Sequence, residues 1–99
     1  MIHEIAQIEI DPARSEQFEA AVALAEPYFR AAPGFRSFAL HRSIEHVGRY
    51  RLVIGWDSVE AHMIEFRSSP GFQAWRELAG PFFLSPPAVE HIRQVLPAR

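Results

Sequence analysis

Apolar positions along the chain switch between two periods. Over residues 2–10 they alternate: Ala6, Ile8 and Ile10 fall on one face, and His3, Gln7 and Glu9 on the other, with Ile5 breaking the polar side. Period two with β-branched residues predicts a strand, and the extra apolar residue implies that its second face is also partly covered. Asp11-Pro12 supplies a helix cap and a proline near the first helical position. From 13 to 31 the apolar residues Phe18, Val22, Ala25 and Phe29 follow the 3.6 period of a helix. Pro27 lies inside that pattern and predicts a kink or an early end. After a Pro33-Gly34 turn, alternation returns over 35–43 (Phe38 and Leu40) and 49–56 (Tyr50, Leu52, Ile54 and Trp56). Glu45-His46-Val47-Gly48 between them reads as a hairpin loop with Gly48 placed for positive φ.

The segment from Gly55 to Trp75 is the most sharply punctuated. Asp57 with Glu60 three residues on has the form of a capping box. Val59, His62, Met63 and Phe66 then share a helical face at i, i+3, i+4 and i+7. Ser69 caps a second helix with Pro70 in its first turn and Phe72, Trp75 and Ala79 facing inward, and Gly80-Pro81 stops it. Phe82-Phe83-Leu84-Ser85-Pro86-Pro87 forms a stiff aromatic loop, and residues 88–96 alternate as a fourth strand.

The order β-α-β-β-α-β predicts an α+β, ferredoxin-like domain: a four-stranded antiparallel sheet with helices on one face. The whole chain, 1–99, reads as one domain without repeats or linkers. Ile5, Ala39 and Val53 sit on the alternate faces of their strands, so the bare side of the sheet is half apolar. Such a face is expected to bury itself against a second copy, giving a homodimer through the sheet face.

Composition narrows the chemistry. All ten basic residues are Arg, which excludes a lysine Schiff base, and the absence of Cys excludes disulfides, thiolate nucleophiles and zinc–thiolate or iron–sulfur sites. A net charge of −2 gives no electrostatic footprint for nucleic acid. No apolar run approaches the ~20 residues of a membrane helix, and the first residues lack the pattern of a secretion signal, so the expected location is cytoplasmic. The histidines show neither His-x-His nor His-Glu-x-x-His spacing, so no metal site is expected. Gly-rich phosphate loops and Gly-x-Ser-x-Gly are absent as well.

Several short motifs, in order, carry a likeness: Glu4-Ile5-Ala6, Phe18-Glu19-Ala20, Pro33-Gly34-Phe35, Arg49-Tyr50, Trp56-Asp57-Ser58-Val59-Glu60-Ala61-His62, Ser69-Pro70, Phe72 and Trp75. Together they resemble the antibiotic biosynthesis monooxygenase (ABM) domain family over nearly the whole chain. The resemblance implies a dimeric α+β barrel. It also implies cofactor-independent oxidation of quinols or polycyclic phenols by O₂, although the family also holds heme-degrading enzymes and proteins without an assigned role. Where heme-degrading relatives carry Asn, Trp and an axial His, this chain aligns Ala6, Phe66 and Arg76. Loss of the axial ligand disfavours heme.

The leading expectation is therefore a small dimeric monooxygenase of a quinol or phenolic, polyketide-like aromatic, with no bound cofactor. His62 would be the catalytic base and Arg42 a catalytic cation stabilising a phenolate or superoxide. Tyr50, Trp56, Phe66, Trp75, Phe83 and His91 would bind the small aromatic substrate. Structural roles compete at each position: His62 as a hydrogen-bonded core histidine, the aromatic residues as plain core, and His91 as a dimer-interface residue. Two other functions stay open on the same fold: a non-catalytic small-molecule binding or stress module, and an isomerase that needs a base and no O₂.

Overall fold

The computed structural model describes residues 1–98. Four strands, β1 (Ile2–Glu9), β2 (Phe35–Arg42), β3 (Arg49–Trp56) and β4 (Ala88–Ile92), form one antiparallel sheet in the order β2-β3-β1-β4. Helices α1 (Ser15–Arg30) and α2 (Pro70–Ala79) cover one face, and the α+β, ferredoxin-like arrangement expected from the alternation is present. A π-helical segment, Ala61–Phe66, leads into α2.

Alternation decides which side chains meet the helices. Ile2, Glu4, Ala6 and Ile8 of β1 and Tyr50, Leu52, Ile54 and Trp56 of β3 are buried on the helical side. They pack on Phe18, Val22, Ala25 and Phe29 of α1 and on Phe66 and Trp75. Burying the large apolar side chains among them stabilises the fold by roughly 1.5–3 kcal/mol each. On the open face, Ile5, Val53 and Ala39 stand opposite one another across β1, β3 and β2. They form a half-buried apolar row beside the Arg49–Glu9 ion pair.

Five local expectations need correction. Helix α1 runs through Pro27 to Arg30, and Ala31 N–H closes the last turn on the Pro27 carbonyl. Pro27 and Ala23 are both exposed, so the bond that proline removes is lost on the solvent side, where water can replace it. Gly48 does not take positive φ; Gly34 does, at 81°. Gly48 is needed for space instead, because a Cβ there would lie 2.4 Å from the Ile10 carbonyl oxygen. Asp57 caps no helix: it pairs with Arg36, and Ser58 Oγ accepts the Ala61 N–H at 3.1 Å.

The helix after Ser58 is also wider than the 3.6 period implies. Arg67 N–H bonds to the His62 carbonyl, an i→i+5 link, so Ala61, His62 and Phe66 turn inward while Val59 and Met63 stay 39% exposed. Finally, β4 ends at Ile92 rather than at residue 96.

Candidate functional site

At one end of the sheet, a carboxyl group lies among the apolar residues. Glu4 occupies an inward position of β1, between Ile2 and Ala6, and is 5% exposed. Strand pairing sets Glu4 opposite Ile54 on one side and His91 of β4 on the other. Trp56, at the end of β3, donates its indole N–H to Glu4 Oε1 at 2.9 Å. The π-helical turn delivers His62 to the same oxygen, with Nε2 at 3.3 Å, and stacks its imidazole on Trp56 at 5.6 Å and 17°. On its far side, His62 Nδ1 lies 2.9 Å from His91 Nε2.

Gly34 fixes this approach. Its carbonyl receives the Asp57 N–H at 2.8 Å, and a Cβ at residue 34 would come within 2.7 Å of the Ala61 Cβ. A larger residue there would displace the turn that carries His62.

Burial dominates the electrostatics. It raises the Glu4 carboxyl from 4.5 to about 7, against the Trp56 hydrogen bond and the charge of Arg67, which both favour the carboxylate. Burial also lowers His62 from 6.5 to about 4, helped by the charges of His91 and Arg67. The His62–Glu4 separation is short enough for an ion pair, yet burial works against both charged forms. We therefore read the contact as a hydrogen bond from a neutral imidazole. The tautomer that serves both contacts places a proton on His62 Nε2, directed at Glu4, and leaves Nδ1 to accept from His91.

Both nitrogens of His62 are thus engaged. Glu4 differs, because Oε1 takes both contacts and Oε2 has no hydrogen-bond partner among the described residues. Among the described residues only Ser15 Oγ is both fully enclosed and unpartnered, so Glu4 Oε2 is not sealed off from solvent. Glu4 and His62 both line a cavity of about 700 Å³. Its walls include Phe72, Trp75 and Phe83, and Arg67 and Arg76 also border it. The Pro81 to Pro87 loop closes one side.

Of the residues singled out in the sequence, His62, Trp75 and Phe83 line this cavity, while Trp56 and His91 hold His62 from behind. Phe66 belongs to the core, 1% exposed and stacked on Phe29 at 4.7 Å. Tyr50 and Arg42 lie at the opposite end of β3. Tyr50 OH donates to Glu19 at 2.5 Å, and the exposed Arg42 donates to the Val47 carbonyl and covers the Tyr50 ring. Neither residue borders the cavity.

Glu4 is absent from the sequence-derived candidates, although its signal is present: a Glu at an inward position of the Ile2-x-Glu4-x-Ala6-x-Ile8 alternation. Arg67 carries no comparable sequence signal. Among the described residues, no group of three or more His, Asp or Glu side chains gathers to hold a metal ion, and no helix is long and apolar enough to cross a membrane.

Comparison with known proteins agrees with this architecture. Residues 1–78 match the profile of antibiotic biosynthesis monooxygenases, a match that stops before Phe83 and His91. The uncharacterized protein YczJ of Bacillus subtilis (strain 168) is 30% identical over 95 residues, covering 96% of this chain and all of YczJ. A crystal structure from Bordetella bronchiseptica, provisionally named an antibiotic biosynthesis monooxygenase, superposes with a TM-score of 0.93 at 50% identity, over 96% of this chain and 97% of that one. A similarly named Nitrosomonas europaea protein shares the fold at a TM-score of 0.80 but only 15% identity, over 96% and 99% of the two chains. With the strand order, the helical cover and the sequence profile in agreement, the chain belongs to the antibiotic biosynthesis monooxygenase family.

Proposed function

We propose that the protein oxidises a quinol or electron-rich phenol with O₂, without a bound cofactor, and that Glu4 is the general base. The observation that carries this reading is Glu4 Oε2, an open carboxyl oxygen on the wall of an aromatic cavity, on a group that titrates near 7. A base that titrates near the working pH combines a large reactive fraction with useful proton affinity. His62 lines the same cavity but titrates near 4 and has both nitrogens occupied, so it is the weaker candidate. It positions Glu4 and is itself held by the hydrogen bond it accepts from His91.

The reaction starts when Glu4 takes the proton of the substrate hydroxyl. The phenolate transfers one electron to O₂, and the phenoxyl radical and superoxide recombine at a ring carbon to give a peroxide. Loss of water from that peroxide leaves the quinone: one phenol and one O₂ become one quinone and one H₂O. Glu4 returns its proton to the departing hydroxide. Phe72, Trp75 and Phe83 would hold the flat ring and exclude bulk water.

Oxygen-electrode assays with a panel of naphthohydroquinones and anthrones test the proposal. Uptake above the uncatalysed rate, reduced about 10²-fold or more by Glu4→Gln, is the expected outcome. Uptake at the uncatalysed rate with every member would sink it, and turnover that persists without O₂ would point to an isomerase.

The open sheet face supports a homodimer as the working unit, because Ile5, Val53 and Ala39 make an apolar row flanked by charge. Light scattering is expected to give twice the chain mass at micromolar concentration. An Ile5→Arg variant is expected to give the monomer mass.

A further inference from the structure

Of the ten arginines in this chain, five have an oxygen partner, and Arg14 and Arg93, which have none among the described residues, do not border the cavity. Arg30, Arg36 and Arg49 each engage a carboxylate, Arg42 donates to a backbone carbonyl and Arg51 to the Gln7 side chain. Arg67 and Arg76 engage no oxygen acceptor among the described residues, and both border the cavity that holds Glu4. The one polar contact of Arg67 is the Met63 sulfur, at 3.8 Å.

Neither guanidinium is simply adrift in solvent. Both lie over the Phe72 ring, Arg67 at 5.5 Å and Arg76 at 5.9 Å from its centroid. A cation–π contact at this distance uses none of the guanidinium's N–H donors, so both exposed side chains keep those donors for a planar anion. The charge of Arg67 also reaches the cavity floor, since it acts on both Glu4 and His62. A chain of net charge −2 thus sets two uncommitted cations at the rim of its aromatic cavity.

We infer that this cavity takes a carboxylated aromatic, with the ring against Phe72, Trp75 and Phe83 and the carboxylate held by Arg67 and Arg76. This inference rests on the cavity being an aromatic site, as proposed above, and gives it a substrate class: hydroxylated ring acids rather than neutral phenols. The hydroxyl end points to Glu4 and the acid end to the rim. Arg is suited to this role and Lys is not, because a fork of N–H donors matches both carboxylate oxygens at once.

Binding measured by calorimetry at pH 7 tests the inference without needing turnover. The probes are 6-hydroxy-2-naphthoate and its neutral isostere, 6-hydroxy-2-naphthamide. The acid is expected to bind at least tenfold more tightly than the amide. In Arg67→Gln/Arg76→Gln the acid-to-amide ratio is expected to fall to within about twofold of one. Arg93→Gln, which alters an exposed cation away from the cavity, is expected to keep the full preference.

Equal affinity of acid and amide for the unaltered protein would overturn the inference while leaving an aromatic site in place. A preference that survives the double substitution, or that Arg93→Gln lowers as much, would overturn it in favour of general charge attraction. Failure of both probes to bind would remove the aromatic site along with its acid preference. Failure of oxygen uptake alone would leave the inference standing and remove only the reaction.

Discussion

Strand β3 carries an aromatic hydrogen-bond donor near each end, Tyr50 and Trp56, and each donor meets a glutamate. Trp56 donates to Glu4 at 2.9 Å and Tyr50 donates to Glu19 at 2.5 Å. The two pairs nevertheless support different chemistry. Glu4 projects inward from a central strand, beside a cavity and a buried histidine. Glu19 projects from the exposed side of α1, so water solvates its carboxylate, and the phenol of Tyr50 bears the cost of burial instead. Burial, followed by the Glu19 hydrogen bond, pushes that phenol pKa up, which disqualifies it as a proton source near neutrality. The same hydrogen-bonded motif becomes a titrating centre only where the carboxyl itself is desolvated.

Substitutions at the two ends should separate them. The largest expected contrast is in turnover: Glu4→Gln lowers kcat with a quinol by about 10²-fold or more, and Glu19→Gln changes it by less than about twofold. Equal losses would merge the two ends into one structural effect. Next in size is stability. Trp56→Phe removes a buried donor from Glu4 and shrinks a fully enclosed side chain, costing about 2–3 kcal/mol in denaturant titration. Tyr50→Phe loses one hydrogen bond and little volume, costing about 1 kcal/mol. Trp56→Phe should also move the Glu4 titration further up, because the indole N–H favours the carboxylate.

A subtler contrast lies in the pH dependence of stability. Glu4 is raised from 4.5 to about 7, so between those values the folded chain holds a proton that the unfolded chain has lost, and stability falls as pH rises. His62 is lowered from 6.5 to about 4, so across that window the unfolded chain holds the extra proton and stability rises. Between about pH 4.5 and 6.5 the two slopes oppose, and the unaltered protein is expected to be nearly flat from this source. Glu4→Gln leaves only the His62 slope, about +1.4 kcal/mol per pH unit, readable from urea midpoints. An identical profile for Glu4→Gln and the parent would contradict the buried pair. The smallest expected effect is Arg42→Gln, within about 0.5 kcal/mol and without change in turnover, since its guanidinium is exposed and far from the cavity.

Much of this architecture was legible in the chain, because alternation and the 3.6 period reflect the same burial that the sheet and helices impose. Phe18, Leu52, Ile54 and Trp75 could be assigned inward from pattern alone. Pattern was less informative where long-range contact decides the outcome. The π-helical turn changes which side of residues 59–66 faces in, and its cause includes the close approach of Gly34, which is 27 residues away from Ala61. Arg42 and Tyr50 share the inward face of their strands with the site residues, but at the far end, which period-two reasoning cannot distinguish. His91 joins His62 only through the placement of β4 beside β1. Glu4 is obscured differently: it is the charged residue among apolar neighbours on the inward face of β1.

In the proposed reaction Glu4, desolvated at the wall of the cavity, titrates near neutrality and serves as the base. Titration of its side-chain carboxyl carbon by ¹³C NMR, assigned by comparison with Glu4→Gln, tests this most directly and needs no substrate. The expected midpoint is about 7. A midpoint near the ordinary 4.5 would contradict it.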